Sequence, residues 1–177
     1  MEKYIALLRG INVSGQKMIK MAELKEIFRQ LDGKNINTYI QSGNIIFNHP
    51  LSDTELIKNE IENSIKKHYQ FEVPAMVINK KEWQNIIEKN PFIGNFNYHV
   101  NHLHITFIDQ IPTPEMVTRI ASKNMGIDKF ILIEKAIYLY CPNGYGKTKL
   151  TNTFFEQQLK TNCTTRNWKT ILALENY

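Results

Sequence analysis

Three cations sit where helices are expected to begin, two after a strand and a turn-rich loop and one after a short loop between the last two helices. Lys147 and Lys149 follow the turn-rich run Pro142-Asn143-Gly144-Tyr145-Gly146, and Arg166 follows Thr164-Thr165. Helices are expected to begin near Lys149 and at Thr165. A helix start exposes free N–H groups and the positive end of its dipole, so it favours an anion and disfavours a side-chain cation. The other predicted helices begin with acids: Asp53 and Glu55, Glu82, and Glu115. Cations at two starts therefore point to an anionic group held from outside. Arg9 precedes a second two-glycine loop, Arg9-Gly10-Ile11-Asn12-Val13-Ser14-Gly15. The chain has 18 Lys and only 4 Arg. Arg9 and Arg166 are worth singling out, because a guanidinium grips an oxyanion at two points.

Several nearby patterns suggest more specific chemistry and lack a necessary part. Gly146-Lys147-Thr148 resembles the end of a phosphate-binding loop, but Cys141 stands where the full pattern needs its first glycine. His104-Ile105-Thr106 matches one half of a two-histidine phosphoesterase pair, and no second His-x-Thr or His-x-Ser occurs. His99, His102 and His104 are a possible chelating set with no nearby carboxylate or thiol before Asp109. Tyr138, Tyr140 and Tyr39 could stack bases on an open sheet face, or be buried between two halves of the chain. Cys141 reads as the end of a buried strand and Cys163 as a solvent-facing loop residue. Two cysteines make neither a disulfide framework nor a zinc site.

Composition sets wide limits. The chain has 177 residues, 42% hydrophobic and 22% charged, which suits a globular protein with a real core. A net charge of +5 and a pI near 9.1 permit a phosphate or nucleic-acid partner without requiring one. The N-terminal apolar run is too short for a signal peptide or membrane span. The expectation is a cytoplasmic protein with reduced thiols, no membrane contact, no cofactor and no required metal.

The elements that must position these residues follow from periodicity. Tyr4–Leu8 is an unbroken apolar strand. Met21, Leu24, Ile27, Phe28 and Leu31 recur at helical spacing, and Gly33 stops that helix. Ile36, Thr38 and Ile40 alternate with polar residues, and Ser42-Gly43 turns the chain into Asn44–Asn48. Ser52 with Glu55 reads as a capping box for a helix with Leu56, Ile57, Ile61 and Ile65 on its apolar face. Val73–Ile78 is the next strand. The order β-α-β-β-α-β is the split β-α-β, or ferredoxin-like, arrangement. The second half reads β-α-β-β-α-α, as though its last strand were replaced by a helix. The predicted class is α+β, with two ferredoxin-like subdomains at 1–79 and 102–177 and a connecting helix and loop at 80–101.

Five blocks, LLRGINVSG, MAELK, TYIQSGNIIF, PNGYGKTKLTN and TTRNWKT, resemble in order the recurring blocks of the domain of unknown function 1697 family of bacterial proteins. The resemblance implies two ferredoxin-like α+β subdomains and no particular reaction or cofactor. The family's block near Gly146 is similar to Gly-Arg-Ser-Lys-Leu-Thr. Here Lys147-Thr148-Lys149-Leu150-Thr151 keeps two cations and the hydroxyls. Exchange of Arg for Lys at that point speaks against a nucleotide-hydrolysing lysine.

The leading functional expectation is therefore a binding module for a phosphate-bearing small molecule or nucleic acid. Arg9, Lys147, Lys149 and Arg166 would contact the anion. Asn12, Gln41, Asn44, Thr165 and Asn167 would hydrogen-bond it or position the loops. Two other readings stand beside it: a small enzyme acting on a phosphorylated or nucleotide substrate with His104 as general base, and a non-enzymatic interaction protein.

Overall fold

The computed structural model describes residues 1–177. The chain divides into two units, Met1–Asn85 with Ala173–Tyr177, and Ile86–Leu172.

The first unit runs β1 (Glu2–Leu8), α1 (Met21–Gln30), β2 (Lys34–Tyr39), β3 (Asn44–His49), α2 (Thr54–Tyr69), β4 (Ala75–Asn79) and the start of α3 (Lys80–Glu88). Its sheet has the order β2-β3-β1-β4 with antiparallel neighbours throughout. Tyr4, Ala6, Leu8, Ile45 and Phe47 on one sheet face meet Leu24, Ile27 and Phe28 of α1 and Ile57, Ile61 and Ile65 of α2. The spacing of those helix residues by three or four explains why both helices lie on one face. Leu56 is not among them; it is 53% exposed. The cap of α2 is Asp53 rather than Ser52, its carboxylate accepting from the Glu55 and Leu56 amides at 2.9 and 3.1 Å. Gly33 does end α1, for a steric reason. Asp32 takes the left-handed turn, and a Cβ on Gly33 would lie 2.5 Å from the Phe28 carbonyl oxygen.

The second unit continues with β5 (Leu103–Ile108), α4 (Pro114–Ala121), β6 (Lys129–Ile133), β7 (Ala136–Tyr140), α5 (Asn152–Leu159), β8 (Cys163–Asn167) and α6 (Trp168–Glu175). Its sheet order, β6-β7-β5-β8, repeats that of the first unit. The expected missing strand is therefore present. Thr165, Arg166 and Asn167 lie on β8, not at a helix start, and they pair with Thr106, Ile105 and His104 of β5. The segment Cys163-Thr164-Thr165-Arg166 carries two β-branched threonines and buries Cys163 against Ile108, Leu159 and Phe155. That burial draws the segment into the sheet and corrects the solvent-facing reading of Cys163. Each half now reads β-α-β-β-α-β-α. In each, the fourth strand ends on an asparagine that caps the next helix: Asn79 Oδ1 accepts from the Glu82 amide and Asn167 Oδ1 from the Thr170 amide, both at 2.8 Å.

The other helix start also moves. Lys147 ends a single 3-10 turn, Tyr145–Lys147, and α5 begins only at Asn152, capped by Thr151. The intervening chain is extended because Leu150 is fully buried in the second core and holds the backbone away from helical geometry. The molecule is thus an α+β protein of two similar units, each with a four-stranded antiparallel sheet, and six helices in all. None of the helices is long and apolar enough to cross a membrane.

Candidate functional site

In the first unit, the predicted residues Arg9, Asn12, Gln41 and Asn44 gather where β1 and the β2–β3 turn end. Asn12 adopts a left-handed backbone, φ 55°. Its amide nitrogen donates to Gln41 O at 2.8 Å and Ile19 O at 3.0 Å, and its amide oxygen accepts from Ile19 N at 2.8 Å. Asn12 therefore closes its own loop and ties it to the hairpin. Asn44 is fully buried and donates to Tyr39 O at 3.1 Å and Ser42 Oγ at 2.8 Å, bracing the same turn. The Gln41 side chain is exposed, and Arg9 is half-buried with its amide donating to Pro74 O at 2.8 Å.

In the second unit, Thr165 is a hub. Its hydroxyl lies 2.7 Å from Thr106 Oγ1, accepts from the Tyr145 hydroxyl at 3.0 Å and donates to Asn152 Oδ1 at 2.7 Å. One donor and two acceptor sites are all a hydroxyl has. The hub is saturated, so Thr165 locks β8, β5, α5 and the Tyr145 turn together. Arg166 points to the other sheet face and donates to Thr164 Oγ1 at 2.8 Å and Thr165 O at 3.0 Å. Lys147 and Lys149 are exposed and make no ion pair. Between them Thr148 is buried, and its hydroxyl donates to Asp128 Oδ2 at 2.5 Å.

His104 stacks on Tyr145, ring centroids 4.9 Å apart. It lines a cavity of about 460 Å³ with Asn101, Asn167, Trp168, Lys169 and Leu172. Burial holds its imidazole below the usual histidine range; a bond between Nδ1 and His102 O opposes this and the charge of His102 adds to it. The folded state thus resists protonating His104 more than the unfolded chain does. Its contribution to stability is fully present above the free-imidazole value of 6.5 and is lost as pH falls through the folded value. His104→Gln is expected to show a smaller drop in Tm than the parent between about pH 7.5 and about pH 5, read by differential scanning calorimetry.

His102 lies in a 3-10 turn, Val100–His102, ahead of β5, so it does not share a strand face with His104. No three His, Cys, Asp or Glu side chains gather as metal ligands. Tyr138 is 1% exposed, and its hydroxyl donates to Ile86 O at 2.8 Å, so its ring is no open stacking platform. Cys141 is buried and its thiol is pushed up to about 11, mainly by desolvation, which makes it a poor nucleophile.

Sequence reasoning missed Tyr145, Asn152 and Thr106 as hub members, and Trp168 and Lys169 as cavity walls. The His104-x-Thr106 spacing was the available signal, since it places both side chains on one face. Its partner strand was hidden.

Residues 1–138 match a family model described as Protein of unknown function (DUF1697). The matched span stops ahead of the loop carrying Lys147 and Lys149. No curated protein matches the chain. Among solved structures it is similar to the conserved bacterial protein SP0830 from Streptococcus pneumoniae, with a TM-score of 0.79 and 22% sequence identity. That likeness covers 99% of this chain and 97% of the other, and at such identity it speaks for the fold alone.

Proposed function

We propose, on the premise that this chain belongs to the DUF1697 family of proteins of unknown function, that its second unit binds a phosphate-bearing ligand through the loop between β7 and α5. The observation that carries this reading is two exposed, unpaired lysines, Lys147 and Lys149, on either side of a pinned Thr148. Tyr145 anchors the loop on one side through Thr165, and Leu150 anchors it on the other. Cations on a loop already held in place lose little conformational freedom on binding, so more of their attraction appears as affinity. Arg166 and Asn167 stand on the adjoining strand, while Thr165 serves as anchor. Arg9 and Gln41 offer a cation and an exposed amide in the first unit, with Asn12 and Asn44 bracing them.

The strand orders support classing both units as ferredoxin-like. The two buried free thiols support a reducing, cytoplasmic setting.

A second reading rests on His104. Burial keeps the His104 imidazole in its neutral form, the form a general base needs, and the ring lines a cavity, so the same unit could turn over a phosphorylated substrate. The two readings separate cleanly, because His104→Gln leaves phosphate affinity intact under both and removes turnover only under the second.

The test is calorimetric titration of the whole chain with inorganic tripolyphosphate at low salt. Lys147→Ala and Lys149→Ala are each expected to weaken binding about fivefold, on the order of 1 kcal/mol for an exposed charge-assisted contact. Affinity should fall steeply with added salt. Unchanged affinity in the Lys147→Ala/Lys149→Ala double variant would overturn the proposal.

A further inference from the structure

Positive charge is concentrated in the second unit. Ile86–Leu172 holds ten Lys and Arg against six Asp and Glu, so it carries four of the chain's five net positive charges. Within it lies a groove of about 470 Å³ whose walls include Phe92, Tyr98, Lys123, Asp128, Lys129 and Phe130. Lys129 Nζ stands 5.1 Å from the Tyr98 ring centre and donates to its hydroxyl at 3.1 Å. Lys123 is exposed and makes no ion pair. The one carboxylate among these groove residues, Asp128, takes the Thr148 hydroxyl at 2.5 Å rather than a lysine. Since Thr148 lies between Lys147 and Lys149, this hydrogen bond joins the groove wall to the phosphate-binding loop. Groove and loop are thus held to one another by a side-chain hydrogen bond.

The segment that supplies Phe92 and Tyr98 to the groove also carries an aromatic ring with no internal role. Phe96 sits between the groove residues Phe92 and Tyr98 and is fully exposed, flanked by Asn95 and Asn97. A phenyl in that setting contributes nothing to either core. Lysines beside exposed and half-exposed rings are what a flexible phosphate backbone with unstacked bases requires, because the ring takes any base face and the ammonium groups take the phosphates. A duplex hides its base faces and would leave Phe96 unused.

We infer that this face of the second unit binds single-stranded nucleic acid. Lys123, Lys129, Lys147 and Lys149 take the phosphates, and Phe96 and Tyr98 take the bases. The inference rests on the phosphate reading above and adds the class of ligand.

The experiment compares three probes on the whole chain by fluorescence anisotropy and competition: a labelled oligothymidylate of about 12 nucleotides, a duplex of the same length, and inorganic polyphosphate. The single strand is expected to bind at least about tenfold tighter than the duplex, and Phe96→Ser to weaken it about tenfold while leaving polyphosphate unchanged. Phe96 is exposed, so this variant keeps the fold. Lys147→Ala/Lys149→Ala weakens both single strand and polyphosphate. If Phe96→Ser has no effect, or if duplex binds as well as single strand, the inference fails and the phosphate site stands. If no probe binds, both fail.

Discussion

Gly43→Ala should destabilise the protein by about 3 kcal/mol, whereas Gly10→Ala should cost only about 1 kcal/mol. Both glycines have a left-handed backbone, with φ +72° and +70°. An alanine at either position pays the left-handed penalty of roughly 1–2 kcal/mol, partly offset by the stiffer unfolded chain. The difference lies in what the new methyl group meets. At Gly10 nothing is within 4 Å, while at Gly43 the Cβ would lie 2.7 Å from Leu8 Cβ and 3.0 Å from Ile11 Cδ1. Leu8 and Ile11 are both in the first core, and the Leu8 amide donates to the Gly43 carbonyl at 2.8 Å. Neither neighbour can yield without loosening the β2–β3 turn that Asn44 and Asn12 hold. Urea midpoints of the two variants, measured side by side, isolate the clash from the backbone strain. Equal destabilisation would show that the turn relaxes freely.

Phe155→Ala should be comparably severe, about 4 kcal/mol. Phe155 is fully buried and packs edge-on against Phe130 at 6.0 Å and Phe154 at 5.2 Å. Removing it leaves a cavity under α5, the helix whose Asn152 accepts from the Thr165 hub. Because each unit has its own core, amide exchange should accelerate in β5, β7 and β8 and remain slow in β1 and β3. Acceleration everywhere by the same factor would mean that the two cores unfold as one cooperative block. Polyphosphate affinity should fall as well, since the lysine loop loses an anchor.

The first unit was legible to a high degree because its elements announce themselves locally. The buried run Tyr4–Leu8 and the helical spacing of Leu24, Ile27 and Phe28 are nearest-neighbour patterns. The cap of α2 was misplaced by one residue, from Asp53 to Ser52, since either residue type can serve. Leu56 was wrongly assigned to the core: the buried line of α2 is Ile57, Ile61 and Ile65 at a spacing of four, and Leu56 lies off that line. In the second unit, Thr164-Thr165-Arg166-Asn167 offered no apolar alternation, so β8 was read as a helix start. Its apolar contribution is a single residue, Cys163. Lys147 and Lys149 were expected at a helix start, but that helix begins only at Asn152, so both lysines lie on the loop ahead of it.

From the residues alone came every element type except β8, the near-repeat of order between the halves, and the expectation that Arg9, Lys147, Lys149, Arg166 and His104 are the side chains to act on a ligand. Those features depend on propensity and periodicity, which operate over a few residues. Tertiary structure decided that Thr165 is a saturated anchor, that Tyr138 is buried, and that Asp128 ties a groove to the lysine loop. Each of these depends on a partner 20 to 59 residues away, such as Thr106 for Thr165 and Thr148 for Asp128. Whether a hydroxyl or carboxylate is spent internally or left for a ligand is settled only when folding brings that partner within hydrogen-bond reach.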